Sequence, residues 1–160
     1  MDYTCVRQIE KADCGVACMA TIAKAYGLKT SMEQIREIAG TDVDGTTVLG
    51  IVRAAERLGF NAKGFKVEED IFNNQFDIPV PCIAHVRIND QFQHYVVIHK
   101  ITENYIVVAD PGKGIIKITR EQLLGKEKLI DGTLYKWTGL VIVLRRIINL
   151  NSTNRKQRNN

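Results

Sequence analysis

Apolar residues follow two different periods along this chain. From Cys14 to Gly59 they recur every three or four positions, the spacing of a helix with one buried face. Asp13 can cap a helix running from about Cys14 to Tyr26, and Gly27 closes it at the position where a left-handed residue is favoured. Ser31 with Gln34 forms a capping box for a short helix ending near Gly40. Thr46 or Thr47 opens a third, "VLGIVRAAERLG", whose Val48, Ile51, Val52, Ala55 and Leu58 share one core-facing side before Gly59 stops it.

Beyond Gly59 the helical period gives way to short runs rich in β-branched residues. "GFNAKGFKV" reads as a strand, then a short polar helical turn and the break "DIPVP". "CIAHVRI", "QHYVVIHKI", "YIVVADP", "IIKI" and "LVIVLRR" follow as strands. "IND" and "TEN" serve as hairpin connections, so an antiparallel meander is expected. Helices first and strands afterwards make an α+β domain. From Asn149 the chain is polar and featureless, which sets the expected boundaries: a folded domain over 1–147 and a linker or tail over 148–160.

With 160 residues, 45% hydrophobic, the chain can bury a core without disulfide staples. It has no run of eighteen apolar residues, and its first residues are too polar for a signal peptide. Four cysteines in this length fit a reducing compartment. The net charge of +4 is uneven: six cations and no acid follow Asp131, so residues 1–131 carry 16 cations against 18 acids. No basic stripe with interleaved aromatics crosses the body, and nucleic acid is not an expected partner. Cys14 and Cys18 lie one helical turn apart without a CxxC, an HExxH or a second ligand pair, so no metal or other cofactor is expected.

The candidate chemistry begins at Cys14. A cysteine in the first turn of a helix meets unpaired N–H groups and the positive end of the dipole, which favour the thiolate. Asp13 opposes this by like-charge repulsion unless its carboxylate turns back to cap the helix. Gly15 leaves room beside the sulfur for a substrate backbone. A thiolate needs an imidazole as base and then acid. Of His85, His94 and His99, His94 stands at the start of an apolar strand, where a sheet edge can open; the other two sit deeper in their strands.

Pairing then selects a carboxylate. A three-residue Thr102–Asn104 loop puts Ile101 opposite Tyr105 and Val96 opposite Asp110, with His94 diagonal to Asp110 on the same face. A two-residue loop would turn Asp110 away. Gln8, six residues before Cys14, offers a side-chain amide that with the Cys14 N–H could hold an oxyanion.

"QIEKADCG", then "HYVV", then "ADP", in this order and spacing, resemble the C39 peptidases. These are papain-like cysteine protease domains at the N-terminus of peptidase-containing ABC transporters. The resemblance covers roughly residues 1–147. It implies a papain-like fold, N-terminal helices packed on an antiparallel sheet, and a role for each matching residue. Cys14 would be the nucleophile, His94 the general base, Asp110 the acid that orients it and Gln8 the oxyanion-hole glutamine. It also implies cleavage of bacteriocin, lantibiotic or quorum-sensing precursors after a Gly-Gly-type pair, coupled to export. The expected partners are a precursor whose amphipathic leader helix ends in Gly-Gly and the transmembrane and nucleotide-binding domains of a parent transporter. The expected place is the cytoplasmic side of a bacterial membrane, with the isolated domain soluble and monomeric. A narrow cleft would admit only glycine-sized residues, and affinity would come from a hydrophobic groove, for which Met32, Ile35 and Val48 are candidates. Two other readings stay open: a leader-docking module without proteolysis, and a thiol enzyme acting on small amides.

Overall fold

The computed structural model describes residues 2–68 and 78–147. A 3-10 turn, Lys11–Asp13, leads directly into α1 (Cys14–Ala25), followed by α2 (Met32–Ala39) and α3 (Val48–Arg57). The capping residues act as their chemistry requires. Ser31 and Gln34 cap α2 reciprocally, with the Ser31 side chain accepting from the Gln34 N–H at 3.1 Å. Thr47 accepts from the Gly50 N–H at 3.0 Å to start α3. Gly27 and Gly40 take the positive φ values, 73° and 66°, that end α1 and α2.

Six strands follow: β1 (Phe60–Lys66), β2 (Cys82–Ile88), β3 (Phe92–Ile101), β4 (Ile106–Asp110), β5 (Gly114–Ile118) and, after the short helix α4 (Arg120–Leu124), β6 (Tyr135–Arg146). They form one antiparallel sheet in the order β1-β6-β2-β3-β4-β5. The expected meander holds from β2 to β5, but β6 returns across the sheet to insert between β1 and β2. Pattern alone could not reveal this, because β6 pairs with β1, which lies some seventy residues earlier. The strand is also longer than "LVIVLRR". It starts at Tyr135 and passes a bulge, where Ala84 pairs with Val141 but Val86 with Trp137. Gly139 sits in that bulge at φ 89°, and a Cβ there would come within 2.8 Å of the Val67 carbonyl oxygen. Helix α4 was not expected, although its signals are present: Thr119 and Gln122 form a capping box and Gly125 closes it. The polar turn expected before "DIPVP" and the tail after Asn149 lie outside the described residues.

The sheet is covered on both faces. On one, α1, α2 and α3 bury Met19, Ile22, Ile35 and Ile51 against Phe60, Ile83, Val97 and Ile142. On the other, Leu123 of α4 and Leu129 pack with Val86, Val96, Ile98, Val108, Tyr135 and Trp137. This explains why β4, "IVVAD", does not alternate: every residue is buried. Helix α3 crosses α2 closely at Gly50, where an added Cβ would lie 2.2 Å from the Ala39 carbonyl oxygen. Gly50→Ala must therefore push the two helices apart. We expect it to lower unfolding free energy by about 3 kcal/mol, read from urea denaturation.

Candidate active site

The site stands where the start of α1 meets the ends of β3 and β4. The β3–β4 loop has four residues, Thr102–Tyr105, closed by Thr102 N–H donating to the Tyr105 oxygen at 2.9 Å, so Ile101 faces Ile106 rather than Tyr105. A bulge between Ile98 and Lys100 takes up that one-residue difference. Beyond it Ile98 pairs with Val108 and Val97 with Ala109, the register expected near Asp110. The expected loop was one residue short and the bulge was not foreseen; the two errors cancel at the site. His94 and Asp110 meet, with Nε2 2.8 Å from Oδ1, both side chains buried.

Asp110 is held from three directions. The Gly112 N–H donates to Oδ1 at 2.7 Å, the Tyr135 hydroxyl donates to Oδ2, and His94 takes the remaining side. Burial favours the neutral acid, but these hydrogen bonds and the imidazole's charge outweigh it and hold the carboxyl below its ordinary range. Burial also leads the rise in the Tyr135 pKa, with the Asp110 charge adding to it, so the phenol stays a donor. No sequence pattern marked Tyr135; it arrives through β6. The turn after Asp110 is tied to the N-terminal segment. Gln8 N–H donates to the Pro111 oxygen at 3.0 Å, and the Arg7 guanidinium donates to the oxygens of Pro111 and Gly112 at 3.2 and 2.8 Å.

Cys14 is the first residue of α1, buried and within hydrogen-bonding reach of the His94 side chain. Burial pulls the His94 pKa down. Hydrogen bonds to Asp110 and Cys14, with their charges, overcome it and raise the pKa to about 9. The ring is therefore an imidazolium at neutral pH, donating from Nε2 to Asp110. Asp13 corrects an expectation: it does not cap α1. The 3-10 turn continues straight into the helix, and the carboxylate turns backward. Its Oδ2 accepts the Glu10 N–H at 3.1 Å, while Oδ1 takes Nε and Nη2 of Arg36 at 3.1 and 3.0 Å.

Gln8 reaches the same place. It lines a cleft of about 300 Å³ with Lys11, Phe92, His94, Asp110 and Gly112. Its Nε2 donates to the Glu10 oxygen at 3.3 Å, and its Oε1 is buried with no hydrogen-bond partner among the described residues. The other histidines lie elsewhere. The His85 ring bonds the Thr138 hydroxyl at 3.0 Å, and His99 Nε2 donates to the Thr4 oxygen at 2.7 Å, holding the N-terminal segment on the helical face. Of the groove candidates, Ile35 is fully buried core, while Met32 and Val48 are half-buried against that core. Among the described residues no cluster of three or more His, Cys, Asp or Glu could hold a metal ion.

The remaining cysteines are distinguished by burial. Cys18 is buried completely; burial first, then the neighbouring Cys14, Asp110 and Cys5, push its pKa well up, and burial takes Cys82 to about 12. Neither thiol ionises at neutral pH. Cys18→Ala is expected to cost about 1–2 kcal/mol of stability through the small void it leaves. Turnover should stay within twofold when assayed below the variant's melting temperature.

The family model for the peptidase C39 family matches residues 2–146. The chain belongs to that family. It is 39% identical over 137 residues to the lactococcin-G-processing and transport ATP-binding protein LagD of Lactococcus lactis, covering 86% of this chain but 18% of that protein. It is also 34% identical over 137 residues to the transport/processing ATP-binding protein ComA of Streptococcus pneumoniae, again 86% of this chain and 18% of that protein. This C39 chain thus spans less than a fifth of the length of these processing and transport relatives. Among solved structures, the peptidase domain of Streptococcus ComA, a bifunctional ABC transporter of a quorum-sensing pathway, superposes with a TM-score of 0.78 at 34% identity, covering 91% of this chain and all of that one. A double-glycine-motif protease from a peptidase-containing transporter, solved with its leader peptide, gives 0.72 at 28% identity, covering 89% of this chain and 91% of that one. The fold is papain-like, and family membership makes the chain a cysteine-type peptidase domain.

Proposed function

We propose that this domain is a cysteine endopeptidase that cuts precursor peptides after a Gly-Gly-type pair at the end of a leader. The observation that carries it is the buried His94 ring, bonded through Nε2 to Asp110 Oδ1 at 2.8 Å and within hydrogen-bonding reach of Cys14 at the head of α1. The Cys14 thiolate attacks the carbonyl carbon of the second small residue, forming the C–S bond as the carbonyl electrons move to oxygen. Gln8 Nε2, once released from its long bond to Glu10, and the Cys14 N–H donate hydrogen bonds to that oxyanion. His94 gives its proton to the leaving amine as the C–N bond breaks. It then takes a proton from water, which hydrolyses the thioester and frees the leader. Asp110 stays ionised throughout and keeps the ring oriented.

The substrate class and parent rest on the relatives. Processing and transport proteins are the matched full-length chains, and one structural neighbour holds a leader peptide. We therefore read residues 1–147 as the peptidase unit and 148–160 as a linker toward a transporter's membrane domain. The substrate would be a bacteriocin, lantibiotic or signalling precursor, met on the cytoplasmic side of the membrane by a domain monomeric when isolated. No helix among the described residues is long and apolar enough to cross a membrane. The test is mass spectrometry of a peptide with an amphipathic leader ending in Gly-Gly, incubated with the domain before and after alkylation by iodoacetamide. One cut after the second glycine, lost on alkylation, is expected. Binding without any cut would instead make the domain a docking module.

A further inference from the structure

The peptide unit joining Pro111 to Gly112 is held at both ends. Its N–H, that of Gly112, donates to Asp110 Oδ1 at 2.7 Å, the same oxygen that His94 Nε2 meets at 2.8 Å. Its carbonyl, that of Pro111, accepts two bonds from the N-terminal segment, the Gln8 N–H at 3.0 Å and Arg7 Nε at 3.2 Å. The carbonyl of Gly112 accepts Arg7 Nη2 at 2.8 Å. A trans peptide unit is planar, with its N–H and carbonyl pointing opposite ways, so fixing the oxygen aims the hydrogen. A cation on the oxygen also polarises the unit and strengthens the bond that its N–H makes. We infer that Arg7 is a positioning residue for Asp110: through the Pro111–Gly112 peptide unit it sets the donor that orients the carboxylate holding His94.

Every link from the guanidinium to the ring is a hydrogen bond, and the surroundings favour the chain of contacts. Asp110 is 1% exposed, so water cannot readily replace the Gly112 N–H as a donor. The Tyr135 hydroxyl fixes Oδ2, which leaves the orientation of Oδ1 to Gly112 and His94. The turn closes tightly around these groups. A Cβ on Gly112 would lie 3.3 Å from Asp110 Oδ1, and one on Gly114 would lie 3.5 Å from Arg7 Nη1. Arg7 is exposed as a residue and reads in the sequence as an ordinary surface cation, yet its fork is committed to two consecutive carbonyls. Lysine, with one donor atom, cannot reproduce that grip. Arg7 is also followed directly by Gln8, whose N–H shares the Pro111 oxygen, so one clamp ties the orienting acid to the segment that carries the oxyanion donor.

The inference rests on Asp110 orienting a catalytic His94, as proposed above, yet its first readout needs no peptide. The proton on His94 Nε2 gives a downfield imidazole resonance in proton NMR at neutral pH, assigned by its loss in His94→Gln. Arg7→Met keeps the aliphatic stem and removes the donors. It should move that resonance upfield and speed its exchange with water by about tenfold, the change expected for one lost hydrogen bond. On a leader peptide ending in Gly-Gly it should lower kcat by about tenfold and leave KM within about twofold. Arg7→Lys should fall between the parent and Arg7→Met in both readouts. Circular dichroism checks folding. An unchanged resonance in folded Arg7→Met overturns the inference whatever happens to cleavage, because a merely structural tie leaves the His94 proton where it was. A loss carried by KM overturns it as well, since Arg7 would then be a substrate contact. A parent protein without the resonance would have no held proton to orient, and that also ends it. Should Arg7→Met fail to fold, Arg7→Lys decides: a displaced resonance supports the inference and an unchanged one ends it. If the parent cuts no peptide, the substrate reading fails and the resonance alone decides the role of Arg7.

Discussion

Replacing Cys14 with alanine should abolish peptide cleavage, by about 10⁴-fold or more, because nothing else near the cleft can form the acyl intermediate. Cys18 is buried and stays protonated, Cys82 is fully buried, and the Cys5 thiol, half-buried, has its pKa raised chiefly by that burial. Leader binding should survive, since affinity in this mechanism comes from a surface separate from the sulfur. The substitution deletes one atom at a site already 7% exposed, so the melting temperature should move by only a few degrees. The measurement pairs single-turnover cleavage, followed by mass spectrometry, with leader binding by fluorescence anisotropy. Cleavage above about one per cent of the parent rate would rule out Cys14 as nucleophile.

Asp110→Asn should be less damaging but more informative. The asparagine Oδ1 can still accept from Gly112 and His94, and its amide can donate to the Tyr135 hydroxyl, so the ring keeps its place. What disappears is the charge that, with the Cys14 thiolate, keeps His94 protonated up to about 9. The alkaline limb of kcat/KM should fall by about one to two pH units, and activity at neutral pH by on the order of 10²-fold. Stability carries the same sign. The raised His94 pKa stabilises the fold fully below its ordinary value of 6.5, and that contribution fades as pH rises through about 9. The lowered Asp110 pKa contributes above its ordinary value of 3.8 and is lost as pH falls through its folded value. The parent protein should therefore hold its melting temperature across the neutral range and lose it at both ends. The Asn variant should show a flatter profile with a lower maximum, read by thermal denaturation against pH. An alkaline limb left near 9 would show that Asp110 does not set the His94 proton.

Local sequence chemistry was enough for the helices and most strands. Ser31 with Gln34, Thr47, and glycines 27, 40 and 59 act through hydrogen bonds and φ preferences that span four residues or fewer, and each stands where its pattern put it. The same reach explains why Cys14 was legible at a helix start; strand position and hairpin pairing pointed to His94 and Asp110, Gln8 stood just ahead of the helix, and the family motifs gave each a role. Reading failed where partners are distant. The loop and the bulge of the β3–β4 hairpin trade one residue between them, a balance set by how both faces of the strands pack. Tyr135 reaches Asp110 only because β6 crosses the sheet, and Arg36 reaches Asp13 only because α2 folds back over the start of α1. A buried charge imposes no pattern on its neighbours in sequence; it needs a partner somewhere in space, and any segment that the fold brings close can provide one. The sequence by itself thus determined most element types and which side chains were candidates for the chemistry. The tertiary structure decided which charges face each other, because charge pairing follows distance through the folded core and not distance along the chain.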